Sequence, residues 1–150
     1  MTKKNKIKNQ IINNFMRHGK KNTAEKLLLE SQKNILRNSN KQATKITQLA
    51  IISSSPIFKL HQIKNKKRKK KNRKIKEIPA FISSNEKRVS AATKLIISAA
   101  RKNKNKDFGS KLAEEICLSA EQKGFSTEMK NDIQKRALKN SKYFSYYRWH

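Results

Sequence analysis

The sequence predicts a mainly α fold, a single six-helix domain with a β-hairpin arm protruding between helices three and four. Three observations predict it. Apolar residues recur at helical spacing in six separate blocks. Between the third and fourth blocks, residues 56–82 change to short β-rich runs on either side of a basic stretch. At 150 residues, the chain has the length of one ordinary domain.

The helices follow in order. Over residues 6–17, Ile7, Ile11, Ile12 and Phe15 form one stripe, which His18 and Gly19 should end, glycine suiting the left-handed C′ position. Residues 1–8 read as a basic N-terminal extension to that stripe. Thr23 marks the start of a second helix with Ala24, Leu27, Leu28 and Ile35 on one side. A third helix, over 42–53, carries Ile46, Leu49, Ala50 and Ser53. The fourth should start at Ser84 or Asn85, with Glu86 near the positive end of the dipole and Arg101 and Lys102 near the negative end. Its inner face is Val89, Ala92, Ile96 and Ala100. Asp107 caps the fifth (Phe108, Leu112, Ala113, Ile116, Ala120), which Gly124 should terminate. Ser126 opens the sixth, with Met129, Ile133 and Ala137.

The arm interrupts this rhythm. Phe58 and Leu60 alternate inside 56–63, and 75–82 is β-rich despite Pro79, which an isolated two-stranded ribbon tolerates at its edge. Between them, residues 64–76 (KNKKRKKKNRKIK) hold 10 basic residues in 13. The register of the two arms is not fixed by the pattern.

Charge then narrows the function. The chain carries 38 Lys+Arg against 10 Asp+Glu, a net +28. Repulsion of that size favours a polyanionic partner. It is also unevenly placed: residues 1–76 have 23 basic side chains and only Glu25 and Glu30 as acids. A hydrophobic fraction of 35%, against an average of about 45–50% with Gly counted, implies a small core and polar surfaces. No apolar run is long enough to span a bilayer, so no membrane insertion is expected. The first residues have no apolar segment and suggest no signal peptide. The abundance of Asn, Lys and Ile suggests an A+T-rich, organellar genetic system.

The arm tip is the sharpest binding feature. Lys66, Lys67, Arg68, Lys69, Lys70, Lys71, Arg73 and Lys74 would act as point charges that follow a phosphate backbone without reading its sequence. The plain alternative is a solvated charge run or a localisation signal; the second cluster at Lys3, Lys4, Lys6 and Lys8 argues against it. Five of the ten aromatic residues fall in the last eight positions. Phe144 is as well placed to staple the last helix to the core as to bind anything. Tyr146, Arg148 and Trp149 suit stacking on unpaired bases. Arg17, Lys20 and Lys21 flank Gly19 and either offset a helix dipole or grip a phosphate.

Catalytic and metal chemistry find no foothold. His18, His61 and His150 are scattered without metal-ligand spacing. Cys117 lies within the fifth helix and reads as an inert packed thiol, and no disulfide can form from one cysteine. Glu114 and Glu115 are adjacent on that helix, so their side chains diverge. Three glycines cannot build a phosphate-cradling loop. No enzyme activity and no cofactor are expected.

An ordered set of motifs points further. Residues 17–26 (RHGKKNTAEK) resemble the "DGKKSTAE" element of ribosomal small-subunit protein seven, in its bacterial-type family. Residues 78–92 (IPAFISSNEKRVSAA) are similar to its "VPVEV…R…A" passage, 95–102 (LIISAARK) to "WL…AARK", 111–116 (KLAEEI) to "RLANEL", and 146–149 (YYRW) to "HYRW". The matches are collinear over residues 15–149.

The resemblance implies the same six helices and arm. It also implies a protein that binds the 3′ major domain of small-subunit rRNA and nucleates assembly of the head. Its arm would lie by the mRNA exit channel and exit-site tRNA, near small-subunit protein eleven. Carried over, rRNA contacts fall on Lys3 to Lys8, Lys20, Lys21, Lys87, Arg88, Arg101, Lys102, Tyr146, Arg148 and Trp149, and the candidate set adds Lys94. The family's arm usually has a Gly-Gly tip; here the tip is glycine-free and lysine-rich. A mitochondrion is the expected compartment and a plastid the alternative. The competing function is a histone-like architectural DNA-binding protein, since that too would be basic, helical and armed with a ribbon.

Overall fold

The computed structural model describes residues 3–39, 42–64, 75–103 and 107–146. In chain order these form α1 (Lys3–Phe15), α2 (Lys21–Asn38), α3 (Ala43–Ser53), β1 (Phe58–Lys64), β2 (Ile75–Phe81), α4 (Asn85–Lys102), α5 (Phe108–Ala120) and α6 (Phe125–Lys139). A 3₁₀ turn at Ser141–Tyr143 follows. The six helices and the antiparallel arm between α3 and α4 are those the periodicities predict.

α5 is the axis of the body and packs against α2, α3, α4 and α6. Its Leu112, Ala113 and Ile116 meet Ile12, Leu28, Ile35, Ala50, Ala92 and Ile96 in one core. Small residues at the crossings, with Ala50 and Ala92 fully enclosed, let the helix backbones approach closely while Ile and Leu fill the gaps. Burying a side chain such as Ile35, with no accessible surface, contributes about 1.5–3 kcal/mol relative to leaving it in water. Phe15 meets Phe108 edge-on, with ring centroids 6.0 Å apart.

Some boundaries and faces differ from expectation. The first helix starts at Lys3, so α1 takes in Lys3 to Lys8 as well as the apolar stripe. It stops at Phe15, and both His18 (φ 52°) and Gly19 (φ 73°) take left-handed backbone to turn the chain into α2. Leu49 is 54% exposed, because α3 lays its Ala43, Ile46, Ala50 and Ile51 face on the core. Gly124 does not stop α5; Gln122 makes the left-handed turn (φ 62°) and Gly124 is the N-cap of α6. Ser84 and Asp107 do precede α4 and α5, but neither forms a side-chain capping hydrogen bond.

Gly124 is needed for a different reason. A Cβ there would lie 2.5 Å from Ser119 Oγ and 2.8 Å from both Ser119 N and Glu115 Oε1. These atoms belong to a buried polar chain joining three helices. Ser126 N–H (2.8 Å) and Ser119 Oγ–H (3.2 Å) donate to Glu115 Oε1. Ser126 Oγ bonds to Ser119 Oγ, and Ser54 Oγ lies 3.0 Å from Ser126 Oγ. Glu115 thus caps the N-terminus of α6 from across the helix pair, a favourable place for a carboxylate. Lys130 Nζ, donating to Ser53 O at 2.6 Å, closes the end of α3 beside it.

The arm pairs Phe58 with Phe81, His61 with Ile78 and Lys64 with Ile75. The register is fixed at its root by rings. Phe58 and Phe81 centroids are 4.7 Å apart, and Phe144, beyond α6, stacks parallel on Phe58 at 5.3 Å and also contacts Phe81 at 5.5 Å. Phe144 is therefore the staple, holding the C-terminal turn to the arm. Phe144→Ala should lower stability by about 1–3 kcal/mol. It should also speed amide exchange in β1 and β2 more than in α5; equal acceleration in all three would contradict the stapling role.

Candidate nucleic-acid interface

Three basic surfaces emerge from these elements. The first lies where the α1–α2 turn meets the end of α4. Arg17, His18, Lys20 and Thr23 line one side of a cleft of about 350 Å³, Arg101 lines the other, and Phe15, Leu27 and Phe108 form its apolar lining. Partial burial, and after it the nearby Arg17 guanidinium, push the Arg101 guanidinium below its ordinary pKa. Two guanidinium groups held against mutual repulsion in a walled cleft form a ready receptor for a phosphate, which would neutralise both. Lys21 is directed elsewhere, 3.9 Å from Glu25 in an exposed pair of little energetic weight.

The second surface lies beneath the arm. A cleft of about 760 Å³ separates β1 and β2 from α4 and α6. Lys87 and Lys94, seven residues apart and so on one face of α4, line it together with Lys59 and Arg136. Arg88, beside them, is half-buried and donates from Nε to Ile82 O at 2.8 Å. Part of its role is thus to fix the chain between arm and helix.

The third is a recess of about 530 Å³ beside the arm root, lined by Lys76, Arg136, Lys139, Lys142 and Tyr143. Lys76 and Lys142 approach the Tyr143 ring at 5.9 and 5.2 Å, in cation–π range. One carboxylate moderates this patch: Glu77, 3.3 Å from Arg136 Nη1. Sequence reasoning counted Lys76 in the basic run 64–76 but passed over Arg136 and Lys139. The available signal was the basic last turn of α6, which by itself also answers a helix dipole.

The remaining predicted residues fall as follows. Lys8 is exposed on α1, while the side chains of Lys3, Lys4 and Lys6 lie outside what is described. Lys102 sits 4.1 Å over the Phe125 ring, so its ammonium is held against α6. Tyr146 is 68% exposed and meets Tyr143 edge-on. The tip residues Lys66, Lys67, Arg68, Lys69, Lys70, Lys71, Arg73 and Lys74, with Arg148 and Trp149, lie outside the described residues.

Among the described residues no group of His, Cys, Asp or Glu could hold a metal ion, and no helix is long and apolar enough to cross a membrane. Burial, and secondarily Glu121, push the Cys117 thiol up, which disfavours the nucleophilic thiolate.

The chain is similar over nearly its whole length to bacterial proteins of one kind. It is 31% identical over 143 residues to the small ribosomal subunit protein uS7 of Wigglesworthia glossinidia brevipalpis, covering 95% of this chain and 86% of that one. The uS7 of Acidithiobacillus ferrooxidans is 29% identical over 148 residues, covering 96% and 90%. That of Blochmanniella pennsylvanica is 29% identical over 140 residues, covering 93% and 85%. The family model described as ribosomal protein S7p/S5e matches residues 1–141. A six-helix body with an arm between α3 and α4, basic along both flanks of that arm, and this match together make the chain a member of the ribosomal protein S7p/S5e family.

Proposed function

We propose that this protein is a structural, non-catalytic constituent of the small ribosomal subunit that binds the 3′ major domain of its rRNA directly. The observation that carries the reading is the convergence of cations from separate elements. The α1–α2 turn and α4 share one cleft, while α4, the arm and α6 share a second. Such surfaces grip phosphates at fixed spacing and read the shape of a folded RNA, with little dependence on base sequence.

The same reading has the protein nucleate head assembly, with its arm beside the mRNA exit channel and exit-site tRNA and near small-subunit protein eleven. The family resemblance of residues 15–149 supports these placements. The Lys, Asn and Ile bias supports a mitochondrial ribosome, with a plastid ribosome as the alternative.

The purified protein should bind the isolated rRNA 3′ domain at least about tenfold more tightly than a random RNA duplex of equal length, at about 150 mM salt where surface charges are well screened. Equal affinity for the two would overturn the rRNA reading. A preference for duplex DNA over both would favour the histone-like alternative.

A further inference from the structure

Phosphate binding explains the rims of the cleft beneath the arm but not its interior. Along its walls Leu60 of β1, Ala91 and Leu95 of α4 and Ile133 of α6 present apolar surface. At about 760 Å³, the space falls within the range of pockets that enclose small molecules, roughly 300–1,000 Å³. A phosphate would gain nothing from those walls. A duplex, with its bases stacked inside, could offer only its charged exterior.

We propose that this cleft is a binding site for an unpaired nucleotide extruded from the RNA, its base inserted between arm and α4 and its flanking phosphates held at the rim. The proposal rests on the RNA-binding reading above and adds what part of the RNA enters. Complementarity selects this occupant. The described lining carries Lys59, Lys87, Lys94 and Arg136 against one acid, Glu77, which Arg136 already engages at 3.3 Å. An apolar interior with a cationic mouth matches a ligand with a flat, weakly hydrated ring and an anionic linker on either side. The Phe58 and Phe81 rings, held by Phe144, also line the cleft and supply π surface at its root.

The test uses the full-length protein and two RNA hairpins of equal phosphate count. One carries a single bulged 2-aminopurine, and the other has the same analogue fully paired. Affinity is read by anisotropy and the fate of the base by its fluorescence. The bulged RNA should bind about tenfold more tightly, the scale of one base stacked on a protein surface. Ala91→Leu, which narrows the cleft without altering charge, should reduce that preference while leaving affinity for the paired RNA and its salt dependence unchanged.

Ile133→Phe narrows the same cleft from α6 and should reproduce the loss, so a folding defect in one variant does not decide the matter. Equal binding of both RNAs by the wild type would overturn the proposal, as would an undiminished preference in both narrowed variants. If those variants instead lose association with another small-subunit protein, the cleft belongs to a peptide and the proposal is overturned. Wild-type protein that binds the rRNA 3′ domain but ignores the bulge would refute this inference alone. Protein that fails on the 3′ domain would refute the function on which it rests.

Discussion

Replacing the eight basic residues of the arm tip (Lys66 to Lys71 and Arg73 to Lys74, positions 66–71 and 73–74) with glutamine should flatten the salt dependence of rRNA binding. Each phosphate neutralised contributes about −0.7 to −0.9 to the log–log slope, depending on whether the strand is single or paired. A wild-type protein making roughly ten phosphate contacts has a slope of about −7 to −9, and it should lose a factor on the order of 10⁴–10⁵ in affinity between about 50 and 200 mM salt. If all eight tip cations meet phosphates, about two contacts remain and the variant should keep a slope of only about −1 to −2. The measurement is a titration against the rRNA 3′ domain at several salt concentrations. An unchanged slope would show the tip to be a solvated charge run. A steep slope that persists in the tip variant but falls on Arg17→Ala and Arg101→Ala would move the dominant contact to the cleft at the end of α4.

Glu115→Ala should be among the most destabilising single changes in the body. Glu115 is 8% exposed, and its Oε1 accepts from both Ser126 N–H and Ser119 Oγ–H. Removing it leaves the buried Ser126 N–H unsatisfied, at about 1–3 kcal/mol, takes one of two partners from the Ser119 hydroxyl, which can turn to Ser126 Oγ, and uncaps α6. A total loss of about 3–5 kcal/mol is expected, readable as a fall in the denaturant midpoint. Gly124→Ala attacks the same place by steric means, since the new methyl would meet the backbone nitrogen of Ser119 as well as the hydrogen-bonded Ser119 Oγ and Glu115 Oε1. Its cost should be about 1–3 kcal/mol. Gly109 is the internal control: the nearest atoms to a Cβ there all belong to the side chain of Glu30, which can swing away. Gly109→Ala should thus be nearly neutral, and a loss as large as that of Gly124→Ala would contradict the account.

The helices were legible because each must bury a stripe, and a period near four residues survives in the sequence whatever lies opposite it. The stripes of α1 and α4 fell on the predicted residues for that reason. Leu49 was misplaced because two overlapping stripes fit so short a helix, and only contact with α5 selects between them. Arm pairing was not legible, since alternation with period two permits slips of register. The ring of Phe144, more than sixty residues beyond the strands it touches, helps to select one.

The candidate site divides along the same line. Dense local charge at 64–76 announces itself, whereas the opposition of Arg17 and Arg101 exists only after folding brings the α1–α2 turn to the end of α4. Glu115 is a further case of a role that exists only after folding. The sequence shows only that its side chain diverges from that of Glu114, and not that Ser126 N–H, on the next helix, and Ser119 Oγ–H bond to it.

The stapling of the C-terminal turn to the root of the hairpin has a mechanical consequence. A lever hinged at its base swings freely, but one whose heel is clamped by a second segment transmits torque to whatever holds that segment. RNA that captured the residues after Phe144 would therefore also set the inclination of the arm some way from the point of capture. Shortening the tail ahead of Phe144 should then broaden the range of arm angles without touching a single tip lysine.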